Sequence, residues 1–134
     1  GTSVVEDLVE YAEWLGNRKG LYVLYTPGYD QISTPALFLS GAQVALFTTG
    51  RGTGIGCALG PVMKIGTNPQ LARINGDIDI DAGIILEKKA SIEEVGRRIF
   101  EETIEVASGR KLTRAEEAGY HHEFKIWESL WPAL

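Results

Sequence analysis

Val44-Ala45-Leu46-Phe47-Thr48-Thr49-Gly50-Arg51-Gly52-Thr53-Gly54-Ile55-Gly56-Cys57-Ala58-Leu59-Gly60 is the stretch on which the fold turns. An apolar run ends in two threonines and breaks into a loop that holds five of the chain's sixteen glycines, with Arg51 its one cation. Glycine at that density lets backbone N–H groups turn toward a ligand without side chains in the way. A guanidinium is a planar fork of donors that matches a carboxylate or a phosphate. The stretch therefore reads as a β-strand, Val44 to Thr48, followed by an anion-binding loop. The plainer alternative is a wide turn that needs glycine for positive φ.

The flanks set the fold class. Ser3 to Leu15 has a capping-box pair, Ser3 and Glu6, and places Val4, Val5, Leu8, Ala12 and Leu15 at helical spacing, which predicts an amphipathic helix ending near Gly16. Gly20 to Thr26 is rich in aromatic and branched residues and predicts a buried strand, closed by the Pro27-Gly28 turn. Ser33 or Thr34, with Pro35 in the first turn, predicts a short helix to about Gly41. Strand, helix and strand in some thirty residues make a βαβ unit, so the strands at Gly20 and Val44 are expected to be parallel. Ligands in such sheets gather beyond the carboxyl ends of the strands, where Tyr29-Asp30 and the glycine loop both lie. The expected class is α/β: a three-layer Rossmann-like domain, its mostly parallel sheet flanked by helices.

Beyond the loop, Pro61 to Ile65 predicts a third strand, and Asn68 caps a helical turn over Pro69 to Ile74. Asp77 to Asp81 alternates Asp and Ile, which in an extended segment aligns three carboxylates on one face. Ser91 and Glu94 form a capping box for a helix to Ala107, with Glu93–Arg97 and Glu94–Arg98 at ion-pair spacing. Lys111 to Ala118 is a short polar segment, and His122 to Trp127 predicts a final strand.

Composition narrows the chemistry. A chain of 134 residues with 44% hydrophobic and 23% charged residues is one ordinary globular domain. A net charge of −5 and the lack of a basic run argue against nucleic acid. No apolar run reaches the roughly 20 residues that span a bilayer. The lone cysteine, Cys57, fits a reducing cytoplasm. The glycine loop lacks the lysine of a phosphate loop and the spacing of the dinucleotide fingerprint, so a nucleotide cofactor is not expected. The acidic run fails as a calcium loop, with Ala82 and Lys88 where glycine and glutamate belong. Adjacent His121 and His122 point oppositely in extended chain and cannot share an ion.

Several stretches, in order, resemble the C-terminal region of the altronate/galactarate dehydratase family. They are Tyr25-Thr26-Pro27-Gly28-Tyr29-Asp30, Leu46-Phe47-Thr48-Thr49-Gly50-Arg51-Gly52-Thr53, Pro61-Val62-Met63-Lys64-Ile65 with Thr67-Asn68-Pro69, Asp77-Ile78-Asp79-Ile80-Asp81-Ala82-Gly83, Ala107-Ser108-Gly109-Arg110-Lys111 and His122-Glu123-Phe124-Lys125-Ile126-Trp127. The resemblance implies a hydro-lyase that removes water from a sugar acid, giving a 2-keto-3-deoxy acid with the help of a divalent metal, iron or manganese. It implies that residues 1–134 are the C-terminal domain, with an N-terminal and a middle domain lacking, so that this chain alone is expected to be inactive. The implied partners are the sugar acid and the remaining domains or subunit, with homo-oligomerisation left open.

The grip on the substrate carboxylate falls to Thr49, Gly50, Arg51, Gly52 and Thr53. Asp30 and Asp79 are the candidates for a catalytic carboxylate, and Asp79 for a metal ligand, since relatives often carry asparagine at the place of Asp81. The additional glycines Gly54 and Gly56 predict a loosened loop. The alternatives are a non-catalytic Rossmann-like module that binds a small anion, and a sulfolactate sulfo-lyase-type subunit.

Overall fold

The computed structural model describes residues 1–74, 76–121 and 125. The elements run β1 (Val5–Val9), β2 (Leu21–Leu24), α1 (Asp30–Leu39), β3 (Ala45–Thr49), β4 (Val62–Gly66), α2 (Pro69–Ile74), β5 (Ile80–Asp81), a 3₁₀ turn (Gly83–Ile85), α3 (Ile92–Ala107) and α4 (Arg114–Glu117). Parallel strands flanked by helices make this an α/β fold, as expected. The strands form two small sheets, β1–β2 and β3–β4–β5, with every pairing parallel.

The expected N-terminal helix is a strand. Val5 pairs with Leu21, Leu8 with Val23 and Val9 with Leu24, and the register slips by one residue between Val5 and Asp7. That bulge explains the misreading. It inserts a residue into a period of two, so Val5 and Leu8 fall on one face at the spacing of a helix. Ala12, at φ 59°, then bars a helix from continuing toward Leu15. Because β2 takes β1 as its neighbour, β2 and β3 are parallel-class strands of separate sheets instead of partners in one βαβ unit.

Helix α1 begins at Asp30, earlier than the capping residues suggest, and carries Pro35 in its interior. Proline has no N–H for the Gln31 carbonyl four residues back. The Lys125 N–H donates to that carbonyl instead, at 2.6 Å. Strand β4, α2 and α3 lie where expected, and α3 has the Ser91–Glu94 capping box. Glu94 spends its carboxylate on the Ser91 N–H at 2.7 Å, and Arg98 pairs with Glu102 at 3.5 Å. The apolar face of α3 is split: Val95 and Val106 are buried, while Ile92, Phe100 and Ile104 are exposed. The strand expected at His122 to Trp127 lies outside the described residues except for Lys125.

The central sheet has a core on each face. Phe38, Ala45, Ile55, Cys57 and Val62 pack with Phe47 on one side. Met63, Ile80 and Val106 pack with Val44 and Ile99 on the other. Alternation along β4 explains the division, sending Val62 and Lys64 to the first face and Met63 and Ile65 to the second. No helix among the described residues is long and apolar enough to cross a membrane.

Candidate functional site

Strands β3 and β4 are adjacent and parallel, with Ala45 opposite Val62 and Thr49 opposite Gly66. A parallel pair needs a connection of about a dozen residues to return from one end of the sheet to the other, and helices usually supply it. Here residues 50–61 are that crossover, and no helix forms in them. The glycine loop is therefore two structures in series: a rim at the carboxyl ends of the strands, then a return path packed against the sheet.

The rim is Thr49 to Thr53. The Thr49 carbonyl accepts from the Thr67 N–H at 2.9 Å and from its hydroxyl at 3.3 Å, which ties the ends of β3 and β4 together. The Gly52 N–H donates to the Thr49 hydroxyl oxygen at 3.0 Å, and the Ile55 N–H donates to the Thr53 hydroxyl oxygen at 3.2 Å. Gly52 sits at φ 80°, a conformation that favours glycine, so the chain reverses beside Arg51. Its N–H, expected to face a ligand, is spent on this turn. Arg51 is exposed and has no bonded partner among the described residues. The rim thus presents a guanidinium, with the Thr49 and Thr67 hydroxyls at its base.

The return path is packed, against the expectation of a loosened loop. Ile55 and Cys57 are in the core. A methyl group on Gly56 would lie 1.7 Å from the Tyr120 carbonyl oxygen, so glycine there is dictated by close backbone approach. Beneath the path lies Lys64, fully buried, its ammonium 3.4 Å from the Ile55 carbonyl and 6.0 Å from the centre of the Tyr120 ring. Tyr120 and Asp77 flank Gly54. Lys64, Thr67 and Tyr120 are thus residues of this loop's surroundings that local pattern did not single out, and Asp77, read there only as part of the acidic run, joins them. The one available signal was a lysine within the apolar run Val62 to Ile65.

Asp79 is held elsewhere. Its two carboxylate oxygens accept from the Lys64 N–H at 2.6 Å and the Arg114 N–H at 2.7 Å, while its own N–H donates to the Lys64 carbonyl at 3.0 Å. It clasps the start of α4 to the middle of β4. Burial pushes its carboxyl above the ordinary value near 3.8, against the pull of both N–H donors and of the Lys64 and Lys111 charges. Asp81 accepts from the Gly83 N–H at 2.9 Å, so the acidic run is divided among separate backbone contacts. Asp30 is exposed in the first turn of α1, and among the described residues no hydrogen bond or ion pair joins it to the rim. Cys57 is buried among apolar side chains, a packing role.

The motif set and the geometry meet in sequence relationships. Residues 1–131 match the family model described as D-galactarate/altronate dehydratase, C-terminal. The chain belongs to this family. It is 42% identical over 130 residues to an altronate dehydratase of Bacillus subtilis, covering 96% of this chain and 25% of that protein. It is 38% identical over 111 residues to the galactarate dehydratase (L-threo-forming) of Escherichia coli, covering 82% and 21%. It is 35% identical over 94 residues to the (2R)-sulfolactate sulfo-lyase subunit beta of Chromohalobacter salexigens, covering 67% and 24%. The chain spans about a quarter of the length of these relatives or less. Dehydratase members make this an enzyme family.

A divalent metal, implied by the resemblance, finds no ready cage: among the described residues no three of His, Cys, Asp and Glu converge. Both oxygens of Asp79 are committed to backbone donors.

Proposed function

We propose that this chain is the C-terminal part of a hydro-lyase that dehydrates a sugar acid of the altronate or galactarate type to a 2-keto-3-deoxy acid. In such a reaction a proton leaves the carbon beside the carboxylate, a hydroxyl leaves the next carbon as water, and the resulting enol becomes the ketone. The step needs the carboxylate held and the charge that develops on it stabilised. The observation that carries the reading is Arg51, an exposed guanidinium on the carboxyl rim of two parallel strands, in a chain matched to this family over residues 1–131. Arg51 takes the carboxylate in a two-pronged grip, and the hydroxyls of Thr49 and Thr67 orient the substrate's own hydroxyls. The general base and the iron or manganese ion are assigned to the remainder of a longer polypeptide or to a partner subunit.

The match to a sulfolactate sulfo-lyase subunit favours a second reading, in which the same rim holds a sulfonated hydroxy acid. The full-length product of the gene, assayed for 2-keto acid, water loss and sulfite release on aldonates, aldarates and sulfolactate, separates the two. Replacing Arg51 with alanine is expected to raise KM by about 10–100-fold, the loss of one charge-assisted bonding site, with the fold intact because the side chain is exposed. An unchanged KM would remove Arg51 from the site.

A further inference from the structure

Among the described residues, the β1–β2 sheet is clothed on one side only. On its inner face Val9 is buried, and Val9, Tyr22 and Leu24 line a cleft of about 320 Å³ shared with Leu37 of α1. On its outer face the register and the bulge bring together Val5 with Leu21 and Leu8 with Val23. These four side chains are 50%, 49%, 61% and 48% exposed in that order. Parallel strands belong to sheets covered on both faces, because a layer is needed on each side to remove their apolar side chains from water. A two-stranded parallel sheet with four large apolar groups on one open face is an incomplete layer.

We propose that this outer face is an internal docking surface, covered in the full-length protein by an apolar surface of the remaining polypeptide. The occupant follows from length: these relatives are about four times as long as this chain, so a longer parent has ample chain to supply the missing layer. The bulge supports a built surface, since without it Val5 would turn to the inner face and the row would be broken. The inference rests on the reading of this chain as part of a longer dehydratase.

Labelling tests it in the full-length product of the gene. Leu8→Cys and Val23→Cys variants are made separately and treated with N-ethylmaleimide, and modification at each site is followed by peptide mass spectrometry. The same protein in denaturant sets the unprotected rate. Protection of both sites by at least about 100-fold, independent of protein concentration, is the expected result. Modification near the denatured rate at either site overturns the proposal. Protection that disappears on dilution also overturns it and assigns the face to a second copy of the chain. A gene product no longer than this chain overturns it as well. The catalytic reading fails separately: a full-length protein inactive on every sugar acid that still shields both cysteines would refute that reading and leave the docking surface standing.

Discussion

Removing the Asp79 carboxylate distinguishes a clasp from a catalytic group. In Asp79→Ala the Lys64 N–H, inside the central strand, loses its 2.6 Å acceptor, and the Arg114 N–H at the first position of α4 loses its 2.7 Å acceptor. Hydrogen bonds to a charged acceptor contribute about 1.5–3 kcal/mol each, and an N–H left buried without a partner costs a similar amount. The Arg114 N–H lies at an exposed position where water replaces the carboxylate, so its loss costs little. The burial that raises the Asp79 pKa offsets part of the gain from both bonds. The balance is a destabilisation of about 2–3 kcal/mol, mostly from the Lys64 N–H. Urea unfolding followed by far-ultraviolet circular dichroism measures it as a lowered midpoint at unchanged slope.

The pH dependence carries a second signature of Asp79. Its folded pKa is raised, so its titration contributes stability that is fully present below the ordinary carboxylate value and is lost as pH rises through the raised folded value. Asn at this position does not titrate. The stability difference between the wild type and Asp79→Asn is therefore largest in acid and shrinks as pH climbs from the ordinary value near 3.8 through the raised one. A loss below about 0.5 kcal/mol in Asp79→Ala, the range of an ordinary surface change, would refute the clasp, whereas a difference that grows with pH would show that the two N–H donors outweigh burial at this carboxylate.

Three further outcomes follow from the crossover. Gly56→Ala drives a methyl into the Tyr120 carbonyl and is expected to cost more than about 3 kcal/mol by displacing backbone; thermal unfolding within 1–2 °C of wild type would show that the return path yields freely. Lys64→Ala empties a fully buried position and strands the Ile55 carbonyl, an expected loss of about 3–5 kcal/mol, whereas Lys64→Met restores most of the volume; a urea midpoint for Lys64→Met equal to that of the wild type would deny the ammonium a role. Cys57, 6% exposed, should react with a thiol reagent only as the protein opens, so its rate should rise in step with urea; rapid modification of the native protein would contradict its place in the core.

Much of this molecule was legible locally. The capping box at Ser91 and Glu94 uses neighbouring backbone donors, so four residues suffice to announce α3. Asn68 and Pro69 announce α2 for the same reason, with the Gln70 N–H bonded to the Asn68 side chain at 3.0 Å. The apolar run into Thr49 marked β3, and the glycines with Arg51 marked the rim, because backbone freedom and a guanidinium's fork are properties of the residues themselves. The ordered motifs marked the family.

Pairing was not legible, because it is a property of two segments. Val5 to Val9 has helical spacing taken alone and becomes a strand only when β2 lies beside it, with a bulge converting a period of two into a step of three. The role of residues 51–60 was hidden likewise. Only the adjacency of β3 and β4 makes the loop a crossover, exposing Arg51 at one end and burying Cys57 at the other. Asp79 reads as a free carboxylate until α4, some thirty-five residues later, supplies the N–H that occupies it. The sequence by itself determined the elements whose stabilising contacts lie within a few residues, together with the family. Tertiary structure alone decided which strands met, which charges were buried and which carboxylates were already spent, since those depend on groups far apart in the chain competing for the same few donors.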